Sequence, residues 1–363
     1  MIISKDVNQT LIIRVRAWHK ELILPQRLDF VLNHLKSNLK IKFMDIQPIR
    51  SLGYYLGYLF SFLLMFPKVI FDRSAYAILE NPYLTIFAPF LKLTGKRVIS
   101  EYVDYYPANL DRLQRTRFFR YLIAKIICKN LHVFSDVITT ESETGKRTLM
   151  HWGVPEKKIH IIPVGINTQK MVFSQTKRNK IRESLKIDDN TIVVGYLGKF
   201  VPYYYLDRII EAVSLLDKKS DRVTLMFIGD GPERINLEAL CKNKNIRSIF
   251  TGNVPHTNVA SYYSAMDVFI FPLNSLAIKI GEILSIGLPL IVIRGMAEDW
   301  IQDGLNGLVS KNNTPIRLKE TLSRFLMLSD QEKLKLRQES RHFAETNLSK
   351  SIIAKKYISL LRS

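Results

Sequence analysis

Residues 269–292 read FIFPLNSLAIKIGEILSIGLPLIV, and this stretch decides the fold. Val268 to Phe271 is a short apolar run closed by Pro272, as in a buried strand. Asn274 and Ser275 are helix N-cap candidates. Leu276, Ile280, Ile283 and Leu284 then recur at helical spacing. Gly287 and Pro289 end that helix, and Leu290 to Ile293 begin the next buried strand. The stretch therefore reads strand, loop, helix, strand. Two charged residues interrupt the apolar helix. Lys279 and Glu282 are three positions apart and share a face. A helix N-terminus that follows a strand is also an anion site. Together these offer a seat for a phosphate, a cation one turn in, and a carboxylate able to accept from sugar hydroxyls. The plainer alternative pairs Lys279 with Glu282 on a solvated face.

The chain around this unit alternates strands and helices. In the second half, strands are expected at Thr191–Leu197, Val223–Ile228 and around Ile249. Helices are expected at Tyr205–Leu216, Ile235–Asn243 and Asn258–Ala265. In the first half, strands are expected at Leu11–Ala17, Lys42–Ile46, Tyr76–Leu79, Arg97–Ser100, Val137–Thr140 and Ile159–Pro163. Helices are expected at Arg27–Leu39 and Tyr83–Leu93. This alternation is the pattern of open, mostly parallel α/β sheets. Between the halves, TQKMVFSQTKRNKIRES (168–184) is polar and basic, and it is the candidate linker. With 363 residues the chain is long enough for two domains.

A net charge of +20 favours phosphate-rich partners: phosphorylated substrates, an anionic membrane surface or nucleic acid. No RNA- or DNA-binding module pattern accompanies it, so nucleic acid is not the expected partner. The two cysteines, Cys128 and Cys241, lie far apart, with no metal or redox spacing. A reducing compartment follows, and MIISKDVNQT lacks a signal-peptide pattern. Ser51 to Pro67 carries no charge over 17 residues. That is short of a membrane span, so a buried or membrane-touching helix is expected. Arg112 to Lys129 is a basic helix suited to an anionic bilayer surface, with a solvated helix packing its aromatic side on the core as the alternative.

Glycine loops close the strands of the second half: Gly198–Lys199, then GDGP (229–232). Ligands in open parallel sheets sit at the carboxyl ends of the strands, where glycine lets the backbone approach. The order GYLGKF, FIGDGPE, FTGNVP, YYSAMDVFIFP, GEILSIGLPLIV, QDGLNGLV resembles the retaining, nucleotide-sugar-dependent glycosyltransferases of family 4. The stretch from Val133 to Asn167, ending IIPVGIN, resembles the end of that family's first domain. The resemblance implies the GT-B fold, an α/β architecture of two Rossmann-like domains facing across a cleft. It places an acceptor-side domain at 1–170, a nucleotide-sugar-binding domain at 171–345, and a final helix, 346–363, crossing back to the first domain.

The resemblance also implies roles. Glu282 matches the second Glu of a Glu-x7-Glu pair and would bind the donor ribose. The first Glu falls on Asn274, a departure at the donor sugar. Ser275, Leu276 and Ala277 stand where the family has a glycine-rich turn at the pyrophosphate. The family's basic pair falls on Lys199 and Tyr204, and the second has no charge, so Lys279 is the candidate replacement. Gly198, Gly229, Gly231, Asn253 and Val254 would line the donor site. In the first domain a usual His-Asp pair appears as Val103-Asp104. Asp104, Glu101 and His19 are the candidates for contact with donor sugar or acceptor.

The expected activity is hexose transfer from a UDP- or GDP-sugar to a lipid-linked or polysaccharide acceptor. No cofactor or metal is expected beyond the nucleotide-sugar itself. The expected location is the cytoplasmic face of the membrane. A sugar-nucleotide epimerase or phosphorylase of the same layout is a second reading. A relative that binds nucleotide or glycan without turnover is a third, favoured by the substitutions at Asn274, Tyr204 and Val103.

Overall fold

The protein is described by a computed structural model. It describes residues 6–15, 40–46, 53–80, 82–102, 131–216, 222–273 and 278–362. The expected helices at 27–39 and 112–129 lie outside them, as do His19, Val103, Asp104 and residues 274–277. The chain divides into two compact units, residues 1–165 with 350–363, and residues 166–349.

The first unit is a parallel sheet in the order β2-β1-β3-β4-β5-β6. Its strands are β1 (Asp6–Val15), β2 (Lys40–Ile46), β3 (Ser74–Leu79), β4 (Arg97–Glu101), β5 (Val137–Thr140) and β6 (Ile159–Ile161). Two helices follow strands β2 and β3: α1 (Gly53–Ile70) and, after a 3-10 segment, α2 (Ala88–Leu93). Helix α3 (Glu143–His151) follows β5. Strand side chains alternate between faces. Leu11, Ile13, Ala77, Leu79 and Val98 therefore pack on one side with Val69 and Leu91. Ile12, Ile78, Ile99 and Val137 pack on the other with Ile353, Ala354, Tyr357, Leu360 and Leu361.

Helix α1 continues through Pro67 to Ile70. One face carries buried Ser61 and Val69, whereas Phe60, Leu63, Leu64 and Phe71 are exposed, Leu64 at 66%. Among the described residues no helix is long and apolar enough to cross a membrane.

The second unit is a parallel sheet in the order β12-β11-β10-β7-β8-β9. In chain order its elements are α4 (Gln175–Ser184), β7 (Ile192–Leu197), α5 (Leu206–Ser214), β8 (Val223–Ile228), α6 (Arg234–Asn243), β9 (Ser248–Phe250), α7 (Val259–Ala265), β10 (Val268–Phe271), α8 (Ile278–Ile286), β11 (Leu290–Ile293), β12 (Leu308–Ser310), α9 (Pro315–Met327), α10 (Asp330–Phe343) and α11 (Lys350–Arg362), the last packing in the first unit. β8, β10 and β11 are buried along their whole length, as a sheet covered on both faces requires.

Two expectations are corrected here. The stretch read as a linker is integral to the second unit. Ser174 Oγ caps α4 by accepting from Lys177 N, and Arg178 and Arg182 both reach Asp267 just before β10. Arg182 is only 3% exposed, and it also donates to the carbonyls of Asp188, Thr191 and Ala265. One charge of this basic run, Arg182, is thus buried through pairing, while Lys177 and Lys180 stay exposed. The boundaries also move, from 170/171 to 165/166 and from 345/346 to 349/350. Ile166 N donates to Leu348 O at 2.7 Å, and Ile166 sits against Gly281, which ties both ends of the second unit into its own core.

Candidate active site

In the second sheet the strand order reverses between β7 and β10, which are neighbours. Chain leaving their carboxyl ends runs to opposite faces, and the crevice so formed is where open α/β sheets bind ligands. Four of the residues singled out from sequence meet here. Gly198 directly follows β7, Gly229 directly follows β8, and Lys279 and Glu282 lie on α8 after β10.

Lys279 Nζ donates to Leu197 O at 2.5 Å. The same ammonium lies 5.2 Å from the Tyr196 ring centroid and 5.9 Å from that of Phe271. Burial lowers the Lys279 pKa to about 8, against the opposing pull of the Glu282 charge. Glu282 is buried, and its Oε1 accepts from His256 Nε2 at 2.9 Å. That hydrogen bond raises the His256 pKa, partly offset by desolvation. The pairing of Lys279 with Glu282 on a solvated face, the plainer alternative, is therefore not what forms. Each group has a different partner, and the carboxylate is inside.

The glycines do structural work at this end of the sheet. A β-carbon on Gly198 would stand 2.6 Å from Lys279 Nζ and 2.7 Å from Tyr196 Oη. One on Gly229, where φ is +129, would stand 1.9 Å from Gly198 O, and one on Gly231 would stand 2.3 Å from Phe200 O. Backbone bonds lock these turns together: Gly198 N to Ile228 O, Phe200 N to Asp230 O, and Gly229 N to Gly252 O. Below them, the hydroxyls of Tyr196 and Tyr263 are buried with no hydrogen-bond partner, and burial drives both pKa values upward.

Other candidates stand apart. Lys199 is exposed, with no hydrogen bond or ion pair among the described residues. Asn253 is exposed, and Val254 packs on the core. Tyr204 makes an edge contact with Tyr203 at 5.0 Å. Asn274, Ser275, Leu276 and Ala277, and with them the amides expected at the pyrophosphate, fall outside the described residues. Glu101, in the first unit, is 1% exposed at the end of β4 and accepts from the Tyr357 hydroxyl of α11. His256 was not found from sequence. It is a lone His in FTGNVPHTN, and its only signal is its place just past the carboxyl end of β9. Among the described residues no three His, Cys, Asp or Glu are grouped to hold a metal ion.

Residues 177–343 match the family model described as glycosyl transferases group 1. Over 165 residues the chain is 26% identical to a GDP-mannose-dependent alpha-mannosyltransferase of Mycobacterium tuberculosis, which covers 45% of this chain and 40% of that protein. Over 200 residues it is 24% identical to a GDP-mannose-dependent alpha-(1-6)-phosphatidylinositol monomannoside mannosyltransferase of Mycolicibacterium smegmatis, covering 52% of each. The chain thus spans about half the length of the curated relatives it matches. In three dimensions it resembles HepE of Anabaena, solved with UDP, at a TM-score of 0.77 and 14% identity over 97% of this chain and 99% of that one. It also resembles sucrose-phosphate synthase of Thermosynechococcus elongatus, at a TM-score of 0.75 and 16% identity over 97% and 98%. The chain therefore has the two-unit α/β GT-B fold, and its second unit is similar in sequence to the glycosyl transferases group 1.

Proposed function

We propose that the protein is a retaining glycosyltransferase of family 4. It moves a hexose from a UDP- or GDP-sugar to a lipid-linked or polysaccharide acceptor at the cytoplasmic face of a membrane. The observation that carries this reading is the separation of Lys279 from Glu282 at the β7–β10 crevice. One cation and one buried carboxylate are each held by another group, in the place where such sheets bind nucleotides. The sequence match over 177–343, the GDP-mannose-dependent relatives and the structural neighbour solved with UDP support the donor class.

Breaking an anomeric C–O bond to a nucleoside diphosphate leaves negative charge on the diphosphate. A positioned cation stabilises that charge more in the transition state than in the ground state. In this reading Lys279 supplies it, with Lys199 free to turn in from the surface, and no metal is required. Glu282 accepts from the ribose hydroxyls. Retention follows from front-face attack, the departing phosphate taking the acceptor's proton. The exposed apolar side chains Phe60, Leu63 and Leu64 of α1, with Phe71 just past its end, support contact with a membrane surface when set beside the +20 charge. Asn274, where the resemblance expects Glu, favours a second reading in which nucleotide binds without turnover.

The test is a thermal-shift panel with UDP, GDP, ADP and their sugar conjugates. One nucleotide class is expected to raise the melting temperature, and Glu282→Ala is expected to abolish that rise while the free protein melts normally. An undiminished rise in the variant would overturn the site. Binding without transfer to lipid-linked acceptors in a radiolabelled donor assay would select the second reading.

A further inference from the structure

The contact between His256 and Glu282 deepens this reading, on which it rests. A carboxylate at the end of a Glu side chain rotates in a broad, shallow well. It has about four lone-pair sites, and nothing in an isolated helix chooses which of them faces a ligand. Glu282 also has a competing partner, since Lys279 lies three residues earlier on the same helix face. A Glu282 that swung to Lys279 would neutralise the cation and spend its own lone pairs. In the structure it does neither. His256, at the start of the short 3-10 turn after Pro255, donates Nε2–H to Oε1 at 2.9 Å. Lys279 meanwhile is held by Leu197 O. Among the described residues no other hydrogen bond reaches the carboxylate, so Oε2 and one site on Oε1 remain for a ligand.

We propose that His256 is a positioning residue: it fixes the Glu282 carboxylate for a vicinal diol and keeps it from collapsing onto Lys279. The ligand chemistry this selects is a ribose with both hydroxyls present. Two adjacent donors on one ring match the lone pairs left open on Glu282, and a 2′-deoxy ring supplies only one. A merely structural role fits His256 poorly, because its side chain is 71% exposed while its partner is 10% exposed. The imidazole contributes little to the core, and among the described residues its one hydrogen bond is to the buried acid.

The exposure also makes the test tractable, because replacing His256 removes little packing. UDP, GDP and their 2′-deoxy counterparts are titrated calorimetrically into wild-type protein, His256→Ala and His256→Gln. The wild type is expected to prefer the ribonucleotide of one base. His256→Ala is expected to lose about tenfold in affinity for that ribonucleotide, the worth of one charge-assisted hydrogen bond. Its affinity for the deoxy form should change by less than about twofold, so the preference collapses. His256→Gln, which presents an amide donor at similar reach, is expected to restore most of the preference. A His256→Ala variant that keeps the wild-type preference overturns this inference alone. Wild-type protein that binds none of the four, or binds both forms equally, overturns the ribose-site reading together with it.

Discussion

The ammonium of Lys279 and the carbonyl oxygen of Leu197 are 2.5 Å apart, which staples the first turn of α8 to the carboxyl end of β7. The cation is therefore fixed by backbone, not by an acidic side chain. The Glu282 charge acts on it only through space, so where strand order reverses the ammonium keeps room for a direct anionic partner.

This arrangement predicts a pH dependence. In the free protein Lys279 titrates at about 8, and a bound diphosphate stabilises the ammonium and raises that value. Between the two values binding takes up one proton. Affinity for UDP or GDP should then fall by up to about tenfold per pH unit above 8. Calorimetry in buffers of different ionisation enthalpy reads the proton directly, and Lys279→Met should abolish its uptake. For the free protein the sign is opposite. The unfolded chain keeps the Lys proton up to about 10.5, the folded chain only to about 8, so this group's contribution to stability rises between those values.

Gly229→Ala should be costly and Gly304→Ala cheap, although both glycines have positive φ. At Gly229 the added methyl meets Gly198 O at 1.9 Å, whereas at Gly304 nothing lies within 4 Å. The expected loss is about 3 kcal/mol for the first and about 1 kcal/mol for the second, by urea unfolding. Because the displaced atom belongs to Gly198, which abuts Lys279, Gly229→Ala should weaken nucleotide binding as well. Gly304→Ala should leave binding unchanged.

Arg182→Met should destabilise the second unit by about 3–5 kcal/mol, because it leaves Asp267 and several carbonyls short of a buried donor. Arg178→Met, at a more exposed guanidinium, should cost less. Denaturant midpoints of the two variants compare them directly. Equal losses would mean that the pair acts only through its shared charge on Asp267.

Tyr357→Phe removes the hydroxyl that donates to Glu101 inside the first unit. A buried carboxylate that loses a donor costs about 1–3 kcal/mol. Hydrogen exchange should quicken in β1, β3 and β4, with the amides of β8 and β10 unaffected.

Much of the second unit was legible in sequence because its strands are wholly buried runs and its helices carry regular apolar spacing. Lys279 and Glu282 stood out as the charged residues on an apolar helix, and their shared face was a matter of counting. Their partners were not legible. Leu197 O is a backbone atom, and His256 is a single residue from a loop 26 positions away from Glu282. Arg178 and Arg182 misled for a related reason. A basic, strandless run reads as a linker until Asp267, more than eighty residues on, supplies the carboxylate that holds Arg178 and lets Arg182 be buried. Gly229 looked like a turn residue that lets a ligand approach, and its close neighbour is instead another glycine's carbonyl.

The last helix bears on how the protein is made. Five of the buried side chains in one core of the first unit, from Ile353 to Leu361, come from α11, and Tyr357 among them also reaches Glu101. A ribosome supplies them only after all of residues 166–349 have emerged. At about 5–20 residues per second that interval is roughly ten to forty seconds. During it the face of the first sheet that carries Ile12, Ile78, Ile99 and Val137 lacks these five partners, while the second unit already holds the side chains of its own core. The half translated first is thus the half completed last. Chains stalled before Lys350 should be captured by chaperones through the first unit, and a release of that capture should coincide with synthesis of α11.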